Sequence, residues 1–308
     1  MKKTLWLMFG IFFVSVIFFW YFNNFSRDGD HAKQVTSSPS ESKKMCLLVP
    51  TIARDFNKLT TNFKFCKQHL NFINKVVFIG NEEVEKLAKD ASPLLGVELS
   101  FINENDLIDV NKVRKLMTKI DPKSSHRSGW YVQQFLKMQY CKICKDEYYL
   151  IWDSDTIPLK NIDMFNDSNG KPFFDVKTEY HEPYFATMKK IFPNLGKKYD
   201  FSFISEHMLI KTYLMSDLID KIQDNKNIDG DTWYEKIINS INPADLRHSG
   251  FSEFETYGTF VQEYHPKVYE IRQWHSLRGE ENKYNFEKLS DAEIKKLAES
   301  YDAISFEH

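Results

Sequence analysis

Glycine-rich phosphate loops are missing from this 308-residue chain: neither Gly-x-Gly-x-x-Gly nor a Walker A pattern occurs. The two commonest loop-borne cradles for a nucleotide phosphate are thereby excluded. No nucleophile elbow of the Gly-x-Ser-x-Gly type is present either. Cysteine is scarce, at four residues, and Cys141-Lys-Ile-Cys144 has no second Cys or His pair at zinc-ligand spacing. Four cysteines read best as small buried hydrophobes, with a Cys46–Cys66 bridge open to an oxidising compartment. Excess positive charge is also lacking. A formal net charge of −2 offers no basic stripe, so nucleic acid is not an expected partner. No internal repeat is visible.

What is present begins with an apolar, uncharged run over residues 4–22, behind Lys2 and Lys3. Its length suits a bilayer crossing. It ends in Phe-Phe-Trp-Tyr-Phe, without the Ala-x-Ala-like site of a cleaved signal peptide. Residues 1–25 are therefore expected to be a short cytoplasmic tip and a signal-anchor transmembrane helix. Residues 26–44, polar and Ser-rich, read as a flexible stem, and residues 45–308 as the folded domain.

Within that domain, strand-like and helix-like segments alternate. Strands are expected at 45–51, 75–80 and 97–102, and helices at 57–70, 82–89 and 110–120. Such alternation implies an α/β fold with a mostly parallel sheet covered on both faces. A strong helix at 130–144 leads into the uncharged run Tyr148-Tyr-Leu-Ile-Trp152, short enough to be a buried strand. That strand ends in Asp153-Ser-Asp155, and Pro158 is expected to stop further sheet pairing. Further on, 201–210 suits a strand that carries Glu206 and His207 out of the core. Residues 251–264 read as a helix with Glu253 and Glu255, 268–271 as a last strand, and 291–300 as a closing helix.

Asp153 and Asp155, two apart at a strand end, can converge on one hard cation. Such ions take oxygen ligands, and Mg²⁺ commonly uses one or two carboxylates plus substrate phosphates. The bland alternative is a solvated turn. The apolar strand before the pair favours the metal, because open α/β sheets bind ligands at the carboxyl ends of their strands. Without a phosphate loop, a diphosphate needs the cation together with Arg or Lys. Arg127 stands in a Ser/Gly turn before a helix, and Gln134 and Lys137, three apart, share a helix face. His275 is a candidate third metal ligand. Glu253 or Glu255 is a candidate general base; they fall on different sides of a helix, and Glu206 and His207 are rivals for that role.

The segments Arg127-Ser-Gly-Trp-Tyr-Val-Gln-Gln-Phe-Leu-Lys137, Tyr149-Leu-Ile-Trp-Asp-Ser-Asp155 and Ser252-Glu-Phe-Glu-Thr-Tyr-Gly258 resemble those of metal-dependent nucleotide-sugar glycosyltransferases of the GT-A fold. More narrowly, they resemble a glycosyltransferase-like set carrying Gly-Trp-Tyr-x-Gln-Gln. The resemblance covers residues 45–278. It implies a GT-A-like (Rossmann-like) mixed, mostly parallel sheet flanked by helices. It implies Mn²⁺ or Mg²⁺ on Asp153, Asp155 and His275, and a nucleotide-sugar donor approached by Thr51, Arg54, Arg127, Trp130, Gln134 and Lys137. The acceptor would be a hydroxyl of a glycan, glycolipid or glycoprotein.

Two other readings stay open. A sugar-nucleotide pyrophosphorylase would carry glycine after its first strand, where Val49-Pro-Thr-Ile-Ala-Arg-Asp55 has none. A non-catalytic, membrane-tethered carbohydrate-binding module would hold Ca²⁺ with six to eight oxygens. A single-pass type II membrane protein is expected, in a Golgi-like secretory membrane if eukaryotic and the inner membrane if bacterial. Asn166-Asp-Ser168 forms a glycosylation sequon.

Overall fold

Apolar residues run without interruption along the first strand, so both of its faces are buried, and the rest of the fold is layered on that strand. In the computed structural model, which describes residues 44–279, 283–284 and 289–306, β1 (Met45–Pro50) lies inside a five-stranded sheet. The neighbouring strands are β2 (Ile73–Gly80), β3 (Glu98–Asn103), β4 (Tyr148–Trp152) and β7 (His207–Lys211). Their order is β3-β2-β1-β4-β7, parallel except for the antiparallel β4–β7 pair. The chain builds outward from β1 through β2 to β3, then returns to β1's other side with β4. That reversal is the topological switch point, where open α/β sheets form a crevice at their strand carboxyl ends.

Two cores follow from the period-two alternation. Met45, Leu47 and Val49 pack with Tyr148, Leu150 and Trp152 under α1 (Phe56–His69) and α2 (Glu82–Leu95). The expected stripe, Leu59, Phe63 and Cys66 on α1 with Leu70 just past its end, faces that core. Cys46, Leu48, Tyr149 and Ile151 point to the opposite, larger core. Beyond a short α3 (Glu104–Leu107), that core is closed by α4 (Val110–Ile120), α5 (Ser128–Gln139), α6 (Glu182–Ile191), α7 (Thr212–Asp224), α8 (Trp233–Ser240) and α9 (Glu253–Tyr264). Cys46 and Cys66 therefore lie on opposite faces of the sheet, which removes the bridge the sequence left open between them.

Several expectations shift. The helix expected over 130–144 ends at Gln139 and tightens into a 3₁₀ turn, Tyr140–Lys142. Pairing does not stop after the aspartates: β5 (Thr156–Pro158) joins a second sheet, β5-β10-β9, with β10 (Ala303–Ser305) and β9 (Ser276–Leu277). Pro158 is tolerated because β5 is an edge strand there. β10, which follows α10 (Asp291–Ala298), is too short to carry a periodic signal. The last expected strand is displaced to β8 (Glu270–Gln273), which pairs with β6 (Phe173–Val176). Residues 201–206 are not strand. Glu206 adopts φ 60°, a left-handed conformation that breaks extension just before β7. Glu206 and His207 are both buried, at 2% exposure, not carried out of the core.

The apolar run and the stem up to residue 43 lie outside the described residues. Among the described residues, no helix is long and apolar enough to cross a membrane. In the sequon, the Asn166 amide donates to Glu270 Oε2 at 2.6 Å and Ser168 Oγ donates to Asn166 Oδ1.

Candidate active site

Parity along β4 decides which wall receives the first aspartate. Tyr149 and Ile151 face the larger core, so Asp153, two residues on, emerges on that side, over α5 and α9. Ser154 turns the other way, where Asn62 of α1 donates to its carbonyl at 2.9 Å and pins the turn. A cleft of about 430 Å³ opens at this strand end, lined by Arg127, Trp130, Gln133, Gln134, Lys137, Asp153, Asp155, Glu206, Glu253 and Arg278 among others. Three cationic side chains there meet four carboxylates.

Lys137 organises the floor. Its Nζ lies 3.0 Å from Asp153 Oδ1 and 2.9 Å from Glu253 Oε1, and its side chain is 7% exposed. Burial alone would lower its pKa, but the Asp153 and Glu253 carboxylates more than offset this and hold it above the usual lysine value. Gln134, one helical turn earlier, accepts the backbone N–H of Glu253 through Oε1 at 3.0 Å. Its Nε2 is buried with no hydrogen-bond partner. A buried amide donor without an acceptor costs free energy. At the wall of a polar cleft, it marks a place for a ligand oxygen.

The start of α9 is set by Ser252, whose hydroxyl accepts the Glu255 N–H at 3.2 Å. Close packing fixes the rest of the helix. At Gly258 a Cβ would stand 2.2 Å from Phe203 Cγ, so only glycine admits this approach. The two glutamates then diverge. Glu253 faces the cleft, whereas Glu255 is turned into the core, accepting from Ser202 Oγ at 2.5 Å and Phe203 N at 3.2 Å. Burial pushes the Glu255 carboxyl above its ordinary value. Glu255 is thus a structural acceptor, and the base expectation rests on Glu253.

Glu206 reaches the cleft edge with both carboxylate oxygens held. It accepts from Lys177 Nζ at 2.8 Å, Trp274 Nε1 at 2.9 Å and Ser276 Oγ at 3.0 Å, with Arg278 Nε at 3.2 Å. Three of those contacts converge on Oε1 and Trp274 holds Oε2, so the carboxylate is fixed by two cations and two further donors and serves as an anchor at the cleft edge. His207 is withdrawn. It stacks on Trp152, with ring centroids 4.7 Å apart, and bonds Asp175 Oδ2 at 2.8 Å. Arg272 grips the same carboxylate through Nε and Nη2, at 2.5 and 2.7 Å. Arg272 and His207 overcome the effect of burial and hold the Asp175 carboxyl below its ordinary value.

His275 does not reach the aspartates. Its side chain is 66% exposed and its Nδ1 lies 3.5 Å from Asp302 Oδ2. Asp302 precedes β10, whose Ser305 pairs with Thr156 and whose Ala303 pairs with Pro158. Asp155 stands opposite Phe306, four residues from Asp302, so His275 sits about 13 Å along that ladder from Asp155, at roughly 3.3 Å per residue. Among the described residues, no His, Cys or third carboxylate clusters with Asp153 and Asp155. The donor set fits a hard divalent cation in one form, two carboxylates completed by ligand oxygens or water, not an all-protein cage.

At the outer rim Arg127 donates to the His248 carbonyl at 2.9 Å and Ser249 Oγ at 3.1 Å, and lies over the Trp130 ring at 4.4 Å. Thr51 and Arg54 follow β1 at the switch point, outside the cleft wall, and the Arg54 side chain is 82% exposed. Sequence reasoning missed Arg278 and Tyr184 as cleft residues and Lys177 as the partner of Glu206. They arrive from separate segments, Lys177 just after β6, Tyr184 on α6 and Arg278 just after β9, with no local motif. Arg278, three residues beyond His275, is the cleft residue of its segment.

Among solved structures the chain is similar to mouse xyloside xylosyltransferase 1 in its apo form, at 12% identity over 85% of this chain and 97% of that one, TM-score 0.40. It is also similar to core-mannan synthase A from Aspergillus fumigatus in an Mn/GDP form, at 10% identity over 77% and 74%, TM-score 0.45. A third is the bifunctional glycosyltransferase WbbM, at 11% identity over 88% of this chain and 47% of that one, TM-score 0.39. At these scores and identities the likeness assigns neither activity nor substrate. No curated protein matches in sequence. Residues 51–300 match the family model described as "Family of unknown function (DUF6492)", and the chain belongs to that family.

Proposed function

We propose that the protein is a glycosyltransferase that takes a sugar from a nucleotide-sugar donor to a hydroxyl acceptor, with Asp153 and Asp155 holding a divalent cation against the donor diphosphate. One observation carries the reading. At the β1/β4 switch point, both aspartates share a polar cleft with Arg127, Lys137, Arg278 and the unpartnered amide of Gln134. With three cations against four carboxylates, an added divalent ion makes the cleft positive, which suits a diphosphate.

Mn²⁺ or Mg²⁺ on Asp153 and Asp155 would supply Lewis-acid stabilisation of a departing diphosphate. The chain's own residues do the rest. Gln134 Nε2 donates to a phosphate or sugar oxygen, and Arg127 and Arg278 neutralise anionic charge at the cleft wall. Trp130 offers a flat apolar face at the rim. Lys137 holds Glu253 toward the cleft, where its carboxylate takes the acceptor proton if the transfer inverts. A retaining transfer needs no such base. The acceptor is a glycan, glycolipid or glycoprotein. A type II anchor would place this chemistry in a compartment supplied with nucleotide sugars.

The test incubates the protein with a panel of nucleotide sugars and Mn²⁺ and follows nucleoside diphosphate release. Release with one donor, lost in Asp153→Ala and Asp155→Ala, is the expected result. Unchanged release in both variants would sink the metal assignment. Silence with every donor would favour a carbohydrate-binding module.

A further inference from the structure

The Cys-x-x-Cys spacing that stands out in the sequence is not the thiol pair that the fold assembles. Cys141 is buried in the larger core, where burial pushes its thiol up to about 12. Cys144, just past the 3₁₀ turn after α5, instead comes next to Cys46, 98 residues earlier on β1. Their sulfurs, together with a carboxylate oxygen of Asp146, lie within 4.8 Å of one another. All four cysteines are free thiols.

The two members of the pair sit in opposite environments. Cys46 is 1% exposed, and the Tyr140 hydroxyl lies 3.5 Å from its sulfur. Cys144 is half-buried and reachable from solvent, and Thr212 Oγ1 donates toward its sulfur at 3.8 Å. The Cys46 thiol beside it, then the Asp146 backbone and the Thr212 hydroxyl, draw the Cys144 thiol down to about 6 against burial and the Asp146 carboxylate, while Cys46 is held above its ordinary value. A solvent-reachable sulfur next to a buried one is the arrangement of an attacking and a resolving cysteine.

We propose that Cys144 and Cys46 are an oxidisable pair, Cys144 attacking and Cys46 resolving, that closes a disulfide between β1 and the turn leading into β4. With a hydroperoxide as oxidant, the Cys144 thiolate attacks the O–O bond. One oxygen stays on sulfur as a sulfenic acid and the other leaves as hydroxide. The Cys46 sulfur then displaces that oxygen, losing its proton as the S–S bond forms and water departs. The bond ties together the two strands whose carboxyl ends flank the switch point. It closes a long loop, the kind whose cross-linking constrains an unfolded chain most. The proposal is independent of the sugar-transfer reading.

The experiment treats the reduced full-length protein with hydrogen peroxide and maps its peptides by mass spectrometry under non-reducing conditions. The expected product is a Cys46–Cys144 cross-linked peptide, with Cys66 and Cys141 still alkylatable. Before oxidation, iodoacetamide at pH 7 should label Cys144 roughly tenfold faster than the other three. Cys144→Ser should leave all remaining thiols reduced, and Cys46→Ser should leave a sulfenic acid on Cys144 that dimedone captures. If Cys46→Ser does not fold, the wild-type peptide map decides alone. Four thiols surviving peroxide, or a Cys141–Cys144 cross-link, would overturn the proposal. So would reduced protein that carries one zinc ion on Cys46 and Cys144.

Discussion

Glu206 accepts the backbone N–H of Asp153 through its carbonyl at 2.9 Å, while its own backbone is left-handed at φ 60°. A non-glycine residue in that region stores strain, of order 1–3 kcal/mol, and persists only where its surroundings over-determine it. Here the surroundings are Lys177, Trp274, Ser276 and Arg278, all on its carboxylate. The side chain anchors the strained backbone, and the backbone anchors the aspartate.

Replacing Glu206 therefore tests an anchor rather than a base. Glu206→Gln leaves Lys177 and Arg278 with Glu179 as their shared carboxylate and should destabilise the fold by about 3 kcal/mol, the usual loss when one member of a buried ion pair is removed. Urea denaturation measures it. A variant with unchanged stability would show that the strain is held by something else.

Lys137 gives a prediction of opposite kind. Lys137→Met removes the cation between Asp153 and Glu253 and should cost about 3 kcal/mol by the same reasoning. It also frees both carboxylates for another cation. Mn²⁺ should then raise the melting temperature of Lys137→Met by more than that of the wild type. Equal shifts would mean that the cation does not approach Asp153. Because the folded pKa of Lys137 lies above its unfolded value, its contribution is intact at neutral pH and is lost only in strong alkali.

Acid should act through Asp175. Its folded pKa is depressed by Arg272 and His207, so as pH falls the unfolded chain takes up the proton first. The stabilisation is present above the ordinary carboxylate value, about pH 4, and is lost as pH drops through the depressed one. Denaturation midpoints between pH 2 and 7 should show this acid arm in the wild type and a shallower one in Asp175→Asn. Identical profiles would remove Asp175 from the account.

The two glutamates of α9 separate chemistry from packing. In an inverting reaction Glu253→Gln should lower kcat by about 10²-fold or more, the usual contribution of a positioned base. Glu255→Gln keeps an acceptor oxygen for Ser202 and Phe203 N and should leave kcat within a fewfold of wild type. Full activity in Glu253→Gln points to a retaining course.

How much of this was legible depended on whether the signal was local. The stripe Leu59, Phe63, Cys66 and Leu70 and the buried run 148–152 each follow a short period, and each forms its expected element. Gln134 and Lys137 share a helix face by spacing alone, and both line the cleft. Divergence of Glu253 and Glu255 was readable from helical phase, but the expectation that one of them is solvated fails: both are buried, and Ser202 and Phe203, from another segment, draw Glu255 into the core. His275 misled because its position depends on Asp302, 27 residues later, through a strand too short to leave a pattern. The Cys46–Cys144 pair was hidden for the same reason, since two elements 98 residues apart must fold before it exists.

Gln134 supplies the sharpest test of the cleft as a ligand site. Its Oε1 is committed to the Glu253 N–H, and its Nε2 is buried without a partner. Gln134→Glu keeps the accepting oxygen and the shape but replaces the spare donor with an acceptor carrying negative charge. If that donor serves a phosphate or sugar oxygen, the variant should lose donor affinity by about tenfold or more, since a charge-assisted bond contributes about 1.5–3 kcal/mol. KM for the nucleotide sugar should rise, and the melting temperature of the unliganded variant should fall, because the new carboxyl group is buried beside Glu253 with no cation of its own. An unchanged KM would mean that the orphaned amide points at water and not at the donor.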